Sequence, residues 1–381
     1  MATKTFDLTG EDVSLGPDQL GEAAKGCSIQ TKTRREGLSE GVREIHVNSG
    51  AFRYVVLPTR GMGLWKAWLG ELEIGWRSPV RGPVHPKFVA LAEPGGLGWL
   101  DGFDELLVRC GLESNGAPEF EENGTLKYPL HGRVANKPAH KVSASVDSDT
   151  GEITITGVVE EARFHFSKLR LTSSLTTGPG EPGVRIHDVV ENLSGSDAEA
   201  QMLYHVNFGL PLLDAGSRFV APIKTVVPRN DHAASVIKNW DSYGAQQPDF
   251  EEQVYLLELL ANKGGQSGIL LKNAHGTAGV SMRFDKKKLP CFTVWKNTTS
   301  AADGYVTGLE PGTNFPNPRT YEGKQGRVVK LESGGKTSFD LQIEIHDAAA
   351  GVEKAEKAIK AIQGNHEPRV FDKPQEGWCA P

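Results

Sequence analysis

A chain of 381 residues with 42 Lys and Arg against 48 Asp and Glu carries a net charge of −6, which leaves no basic footprint for a nucleic-acid backbone. Its 38% hydrophobic and 24% charged content excludes a disordered chain, and no stretch approaches the roughly 18 apolar residues of a membrane span. With 44 Gly, 22 Pro and few helix-period segments, the composition predicts an all-β fold: many short strands joined by turns in one large domain. Cys27, Cys110, Cys291 and Cys379 are scattered, with no CxxC pair and no His nearby at metal-ligand spacing. This cysteine usage, and an N-terminus without the apolar core of a signal peptide, predict a reduced, cytoplasmic setting. Monomer and homo-oligomer both stay open.

In chain order, residues 1–42 read as a polar lead-in packed on the main body, with a short helical candidate around Asp18 to Ala24. The β body spans 43–347. It begins with Glu44 to Val47, Phe52 to Leu57 and, after the turn Pro58-Thr-Arg-Gly61, Leu64 to Leu69. The Gly- and Pro-rich stretch Ser78 to Leu100 is predicted to be loop, and loops this long in compact domains usually cover or line a site. Glu152 to Val159, His165 to Leu175 and Val184 to Leu193 follow as strands at meander-like spacing, each with one buried face. Further strands run through Gln253 to Leu259, Ser267 to Leu271, Gly279 to Phe284, Phe292 to Trp295, Arg327 to Leu331 and Lys336 to Ile345. Residues 348–381 form a helix from Gly351 to Gln363, stopped by Gly364, and a polar tail.

Chemistry concentrates at three places. Glu310, in Gly304-Tyr-Val-Thr-Gly-Leu-Glu310-Pro-Gly-Thr-Asn-Phe-Pro-Asn-Pro318, leaves an apolar strand and enters a loop rich in turn formers, a rigid mounting suited to a general base. His131 in Tyr128-Pro-Leu-His131-Gly132 and His205 in Tyr204-His205-Val-Asn-Phe-Gly209 occupy comparable settings. One carboxylate and two imidazoles point to proton transfer. Arg60, between two strands, is a candidate to grip ligand oxygens with its forked donors, against a salt-bridge role. Arg109 and Cys110 end an apolar run at a Gly-rich turn and are placed at the same mouth, Cys110 without a neighbouring base to make it a nucleophile. Trp295 and Lys296 end a strand and are candidate binding residues, the indole able to stack on a flat ligand face or to belong to the core.

Taken together, Tyr128-Pro-Leu-His131-Gly132, Tyr204-His205-Val-Asn207-Phe-Gly209 and Leu309-Glu310-Pro-Gly-Thr-Asn-Phe-Pro316, with Val189-Val-Glu-Asn192 ending a strand before the second histidine, resemble the galactose mutarotase-like superfamily, the aldose 1-epimerases and their relatives. The resemblance covers about residues 43–345 and implies a large antiparallel β supersandwich. It also implies interconversion of sugar anomers through ring opening, with Glu310 as base, His205 as acid and His131 near the ring oxygen or a neighbouring hydroxyl. The small-molecule partner would be a sugar, and no cofactor is required. The chain departs from the family where Tyr204 precedes His205 in place of an asparagine; Asn207 follows two places on and is taken as a substrate-binding residue. The family's hydroxyl-gripping aspartate has only Glu252 or Asp231 as candidates.

Three other readings stay open. An aldose–ketose isomerase or epimerase would use the same Glu/His pair on an open-chain sugar. A phosphosugar epimerase would need Arg60, Arg77, Arg81, Arg109 and Arg133 to converge. A non-catalytic carbohydrate-binding protein could share the sandwich.

Overall fold

The computed structural model describes residues 2–381, and among these two antiparallel sheets of nine and fourteen strands dominate. The nine-stranded sheet contains the meander Lys141–Asp147, Ile153–Ala162, Lys168–Thr177 and Gly183–Asn192, followed by Lys336–His346. Burial in Ile153–Ala162 and Lys168–Thr177 alternates residue by residue. Side chains of a strand point to opposite faces with period two, and only one face of this sheet meets the core. From that face Ile155, Leu171, Ile186 and Leu341 pack in one core with Val56, Leu64, Tyr204, Val206 and Leu309 of the fourteen-stranded sheet. The chain is a large β sandwich, as its turn-rich composition predicts.

The middle of the larger sheet is different. Five of its strands, β1 (Leu107–Leu112), β2 (Ala198–Gly209), β3 (Gln253–Leu259), β4 (Cys291–Asn297) and β5 (Val306–Gly312), lie side by side in the order β1-β2-β5-β4-β3. Every residue of β5 and the last ten of β2 are buried, so both faces of these strands are covered. The second cover is the chain from Ser78 to Phe103, which has no strand and only two 3-10 turns, Pro86–Phe88 and Gly98–Gly102. Trp99 and Phe103 of this layer cluster with Trp76 and Ala135 over Val108, Cys110, Leu203 and Val306 of the strands. Burial on both faces is why these strands read as apolar runs instead of alternating.

The first 42 residues contribute to both sheets, Thr3–Asp7 pairing with Lys141–Asp147 and Ser28–Thr33 with Arg43–Asn48. The C-terminal helix runs Ala349–Gln363 and ends on Gly364 at φ 54°, a left-handed backbone that glycine adopts without strain. Its Val352, Ala355 and Ile359 pack against Leu270. Beyond it the polar tail is anchored: Arg369–Val370 pairs in parallel with Ile223–Pro228, and Trp378 stacks on Phe315 with ring centroids 5.1 Å apart. Asn317 also donates to the Trp378 carbonyl at 2.8 Å, so the tail braces the loop that follows β5. No helix among the described residues is long and apolar enough to cross a membrane.

Candidate active site

Strand register assembles the site. Pairing of Val206 with Leu309 and of Leu203 with Gly312 sets His205 of β2 beside Glu310 of β5, and Glu310 pairs in turn with Thr293 of β4. His205, Glu310 and Thr293 therefore form one row across three strands, spaced by the ~4.8 Å between neighbours in a sheet. The row lies at the bottom of a cavity of about 560 Å³, within the size range of small-molecule sites. One expectation is corrected here. Pro311 and Gly312 pair with Phe292 and Cys291 inside the sheet, so Glu310 sits within the strand and not at a loop mouth.

Glu310 Oε1 is 3.2 Å from His205 Nε2, and both side chains are almost fully buried. Burial pushes the Glu310 carboxyl well above its ordinary range and the nearby Glu252 adds to the rise, while burial holds the His205 imidazole well below its own. Both shifts favour a neutral pair, and a contact this close between a carboxyl and a ring nitrogen requires one shared proton. The tautomer of His205 is set by its other nitrogen. Asn207 uses its amide N–H groups on the carbonyls of Glu105 and His205, so its oxygen faces Nδ1 at 2.6 Å and accepts the ring proton there. Asn207 reaches this position because residues two apart on a strand share a face, and it does not line the cavity.

His131 lies edge-on beside His205 on the cavity wall, the ring centroids 5.3 Å apart. It has φ 56°, and the next residue, Gly132, would drive a Cβ to 1.9 Å from the Ser114 carbonyl oxygen. That contact explains the glycine of the Leu-His-Gly motif. His131 Nδ1 donates to the Asn115 carbonyl at 3.0 Å, and burial lowers the ring to about 4. The neutral ring thus leaves Nε2 as an acceptor. Asn115 also exchanges two amide hydrogen bonds with Asn314, at 2.8 and 2.7 Å, tying the His131 loop to the turn after Glu310.

Apolar walls enclose these groups. Trp99 lies edge-on to His131 at 4.5 Å, and Phe103 and Trp295 lie edge-on to His205 at 5.2 and 5.6 Å. Ser78, Pro79, Val80, Leu97, Trp99 and Leu100 place the long loop on the cavity wall. Trp295 lines the cavity, its Nε1 donating at 2.7 Å to Glu252, an exposed carboxylate at the lip. Gly308 escaped notice in the sequence although it stands between Glu310 and Val306. A Cβ there would come within 2.6 Å of Glu310 Oε1 and 2.9 Å of the His205 ring. Gly308→Ala is therefore expected to keep the fold but lower turnover on the order of 10²-fold by displacing the pair; a circular-dichroism melt beside an activity assay separates the two effects.

Five expected sugar contacts lie elsewhere, Asn207 among them, its amide spent on His205 and Glu105. Arg60 is sealed under the loop layer, pairing with Glu105 at 2.5 Å and donating to the carbonyls of Val84 and Gly102 and to Asn136. Arg109 lies in the core, pairing with Asp188 at 2.5 and 3.1 Å and donating to Met62 and Ser173. Lys296 points to the opposite face from Trp295 and donates to the carbonyls of Asn239 and Ser242. Asp231 starts a short helix away from the cavity. The donors of Arg60, Arg109 and Lys296 are engaged within the protein, a partnership that strand-end position does not reveal. Arg109→Ala should cost about 3–5 kcal/mol in urea unfolding, because it leaves Asp188 buried without its counter-charge. Cys110 belongs to the apolar cluster behind the site, where burial pushes its thiol well up. Arg229, not anticipated, is the arginine lining the cavity, beside the carboxylates of Glu252 and Asp303. No three His, Cys, Asp or Glu among the described residues converge as a metal-binding group.

The family described as a domain of unknown function, DUF4432, matches residues 39–345. A solved "putative aldose 1-epimerase" from Klebsiella pneumoniae subsp. pneumoniae MGH 78578 is 37% identical, with a TM-score of 0.94 over 98% of this chain and 99% of that chain. A galactose mutarotase-like protein from Clostridium acetobutylicum shares the fold at 15% identity and a TM-score of 0.58, over 84% of this chain and 98% of that one. So does galactose 1-epimerase from Lactobacillus acidophilus NCFM, at 12% identity and a TM-score of 0.54 over 84% and 98% of the two chains. No curated protein matches the chain. With its family segment and a 37%-identical relative along nearly its whole length, the chain belongs to the DUF4432 family, and it shares the fold of galactose mutarotase-like proteins.

Proposed function

We propose that this protein is a sugar mutarotase, an isomerase that interconverts the anomers of an aldose by general acid–base catalysis. The observation that carries the reading is the buried Glu310–His205 contact at 3.2 Å, one proton for two groups, on a cavity that His131 lines beside His205. Mutarotation needs such a pair. The shared proton first passes from Glu310 to Nε2; the carboxylate so formed takes the proton of the anomeric hydroxyl while Nε2–H gives its proton to the ring oxygen, the bond from C1 to the ring oxygen breaks and C1 becomes a carbonyl. Rotation about the bond from C1 to C2 presents the other face, and return of both protons closes the ring. No net proton is consumed. Asn207 favours the working placement, since its oxygen holds Nδ1–H and so supports an imidazolium at Nε2. His131, neutral with Nε2 unprotonated, suits a sugar hydroxyl as donor rather than the ring oxygen.

One arginine against Glu252, Asp303 and the reacting carboxyl gives the cavity no excess of positive charge. None of Arg60, Arg77, Arg81, Arg109 and Arg133 lines it, which favours an uncharged aldose over a phosphorylated one. The test is exchange NMR between α and β signals of hexoses, pentoses, deoxy sugars and acidic sugars in D₂O. Accelerated anomer exchange without deuterium at carbon is expected. Deuterium at C2 would instead establish aldose–ketose chemistry, and binding with no exchange would leave a carbohydrate-binding protein.

A further inference from the structure

Two side chains that line the cavity, Thr293 and Trp99, each hold a buried polar atom with no hydrogen-bond partner among the described residues, and each is 1% exposed. An unpaired polar atom at such a depth costs stability unless something else satisfies it, so these two atoms are candidate handles for the cavity's occupant. The Trp99 N–H can only donate, and its ring sits against His131. Thr293 Oγ1 can donate and accept, and its place in the row is the informative one.

The row runs His205, Glu310, Thr293, with the carboxyl in the middle. An anomeric carbon also stands between two ring neighbours, the ring oxygen on one side and C2 with its hydroxyl on the other. With Glu310 on the anomeric hydroxyl and His205 on the ring oxygen, the group one strand further on, ~4.8 Å across the sheet, falls beside the C2 hydroxyl. We propose that Thr293 is a specificity-determining residue that binds this hydroxyl, so that the enzyme selects aldoses carrying a free hydroxyl at C2. This deepens the mutarotase reading and rests on it. The bond would orient the sugar by satisfying a buried group that has no partner among the described residues, and a substrate lacking the hydroxyl would leave that group unpaired in the complex.

The experiment measures anomer exchange for D-galactose, D-glucose and D-xylose and for the 2-deoxy counterpart of each, with the wild type, Thr293→Val and Thr293→Ser. Wild type is expected to disfavour the 2-deoxy sugar by roughly 5- to 100-fold in kcat/KM, the range for a buried group deprived of its partner. In Thr293→Val that ratio should fall toward one, chiefly through a higher KM for the hydroxylated sugar, while Thr293→Ser keeps it. The melting temperature of Thr293→Val should match or exceed wild type, since the substitution removes an unsatisfied hydroxyl; a purely structural threonine would lower it. Equal discrimination in wild type and Thr293→Val overturns the assignment and leaves the mutarotase reading intact. Absence of exchange for all three sugars and for the wider NMR panel overturns the mutarotase reading, and the assignment with it.

Discussion

Glu310→Gln is expected to lower kcat for anomer exchange by about 10²–10⁴, the usual worth of a positioned acid–base group. The amide has nearly the size of the carboxyl and fits among Gly308, His205 and Thr293, so the backbone of β5 should not move. What disappears is the capacity to take a proton, together with the shared proton that joins Oε1 to Nε2. Sugar binding should persist, because Thr293, Trp99 and Glu252 still line the cavity. Saturation by calorimetry beside single-turnover NMR would show it: unchanged affinity and lost exchange support the role, whereas full turnover removes Glu310 as the base.

His205→Asn should lower turnover by about 10²-fold or more, since no other group at the ring-oxygen side can both hold and release a proton. His131 is poorly placed to substitute: its proton is on Nδ1, bound to the Asn115 carbonyl, and the ring titrates at about 4. Unchanged activity in the variant would transfer the acid role to it nonetheless. The pH profile supplies a second measure. The working pair carries one proton, gains a second only below the lowered titration of His205 and loses the first only above the raised titration of Glu310. Log kcat/KM should therefore run flat through pH 6.5, where an ordinary histidine would inflect. Stability carries the opposite signs for the two kinds of group. Histidines held below 6.5 in the folded state contribute stability that is present above that pH and lost as pH falls toward 4, and the elevated Glu310 contributes stability present below 4.5 and lost above it.

How much of this was legible beforehand depends on what each residue's neighbours are. The strand sequence, the C-terminal helix and the loop from Ser78 to Leu100 announce themselves through period, Gly and Pro, which are local properties. Glu310, His205 and His131 stand out because polar groups amid apolar runs are chemically conspicuous, and the structure brings all three to one cavity. Arg60 and Arg109 misled, since an arginine beside a turn reads alike whether it faces a sugar or a buried carboxylate. Thr293 and Gly308 gave no signal, because a threonine or glycine in a strand is commonplace until its cross-strand neighbours are known.

Chain composition and motif order were enough to determine the all-β architecture and to single out Glu310, His205 and His131, which the fold brings to one cavity. Only the tertiary structure decided that His205, Glu310 and Thr293 share a row, that Asn207 sets the tautomer of His205, and that the arginines belong to the frame. The reason is register. A strand's sequence tells which side chains share a face, but what lies beside them is set by pairing with segments a hundred or more residues away, and chemistry at this site depends on those lateral neighbours.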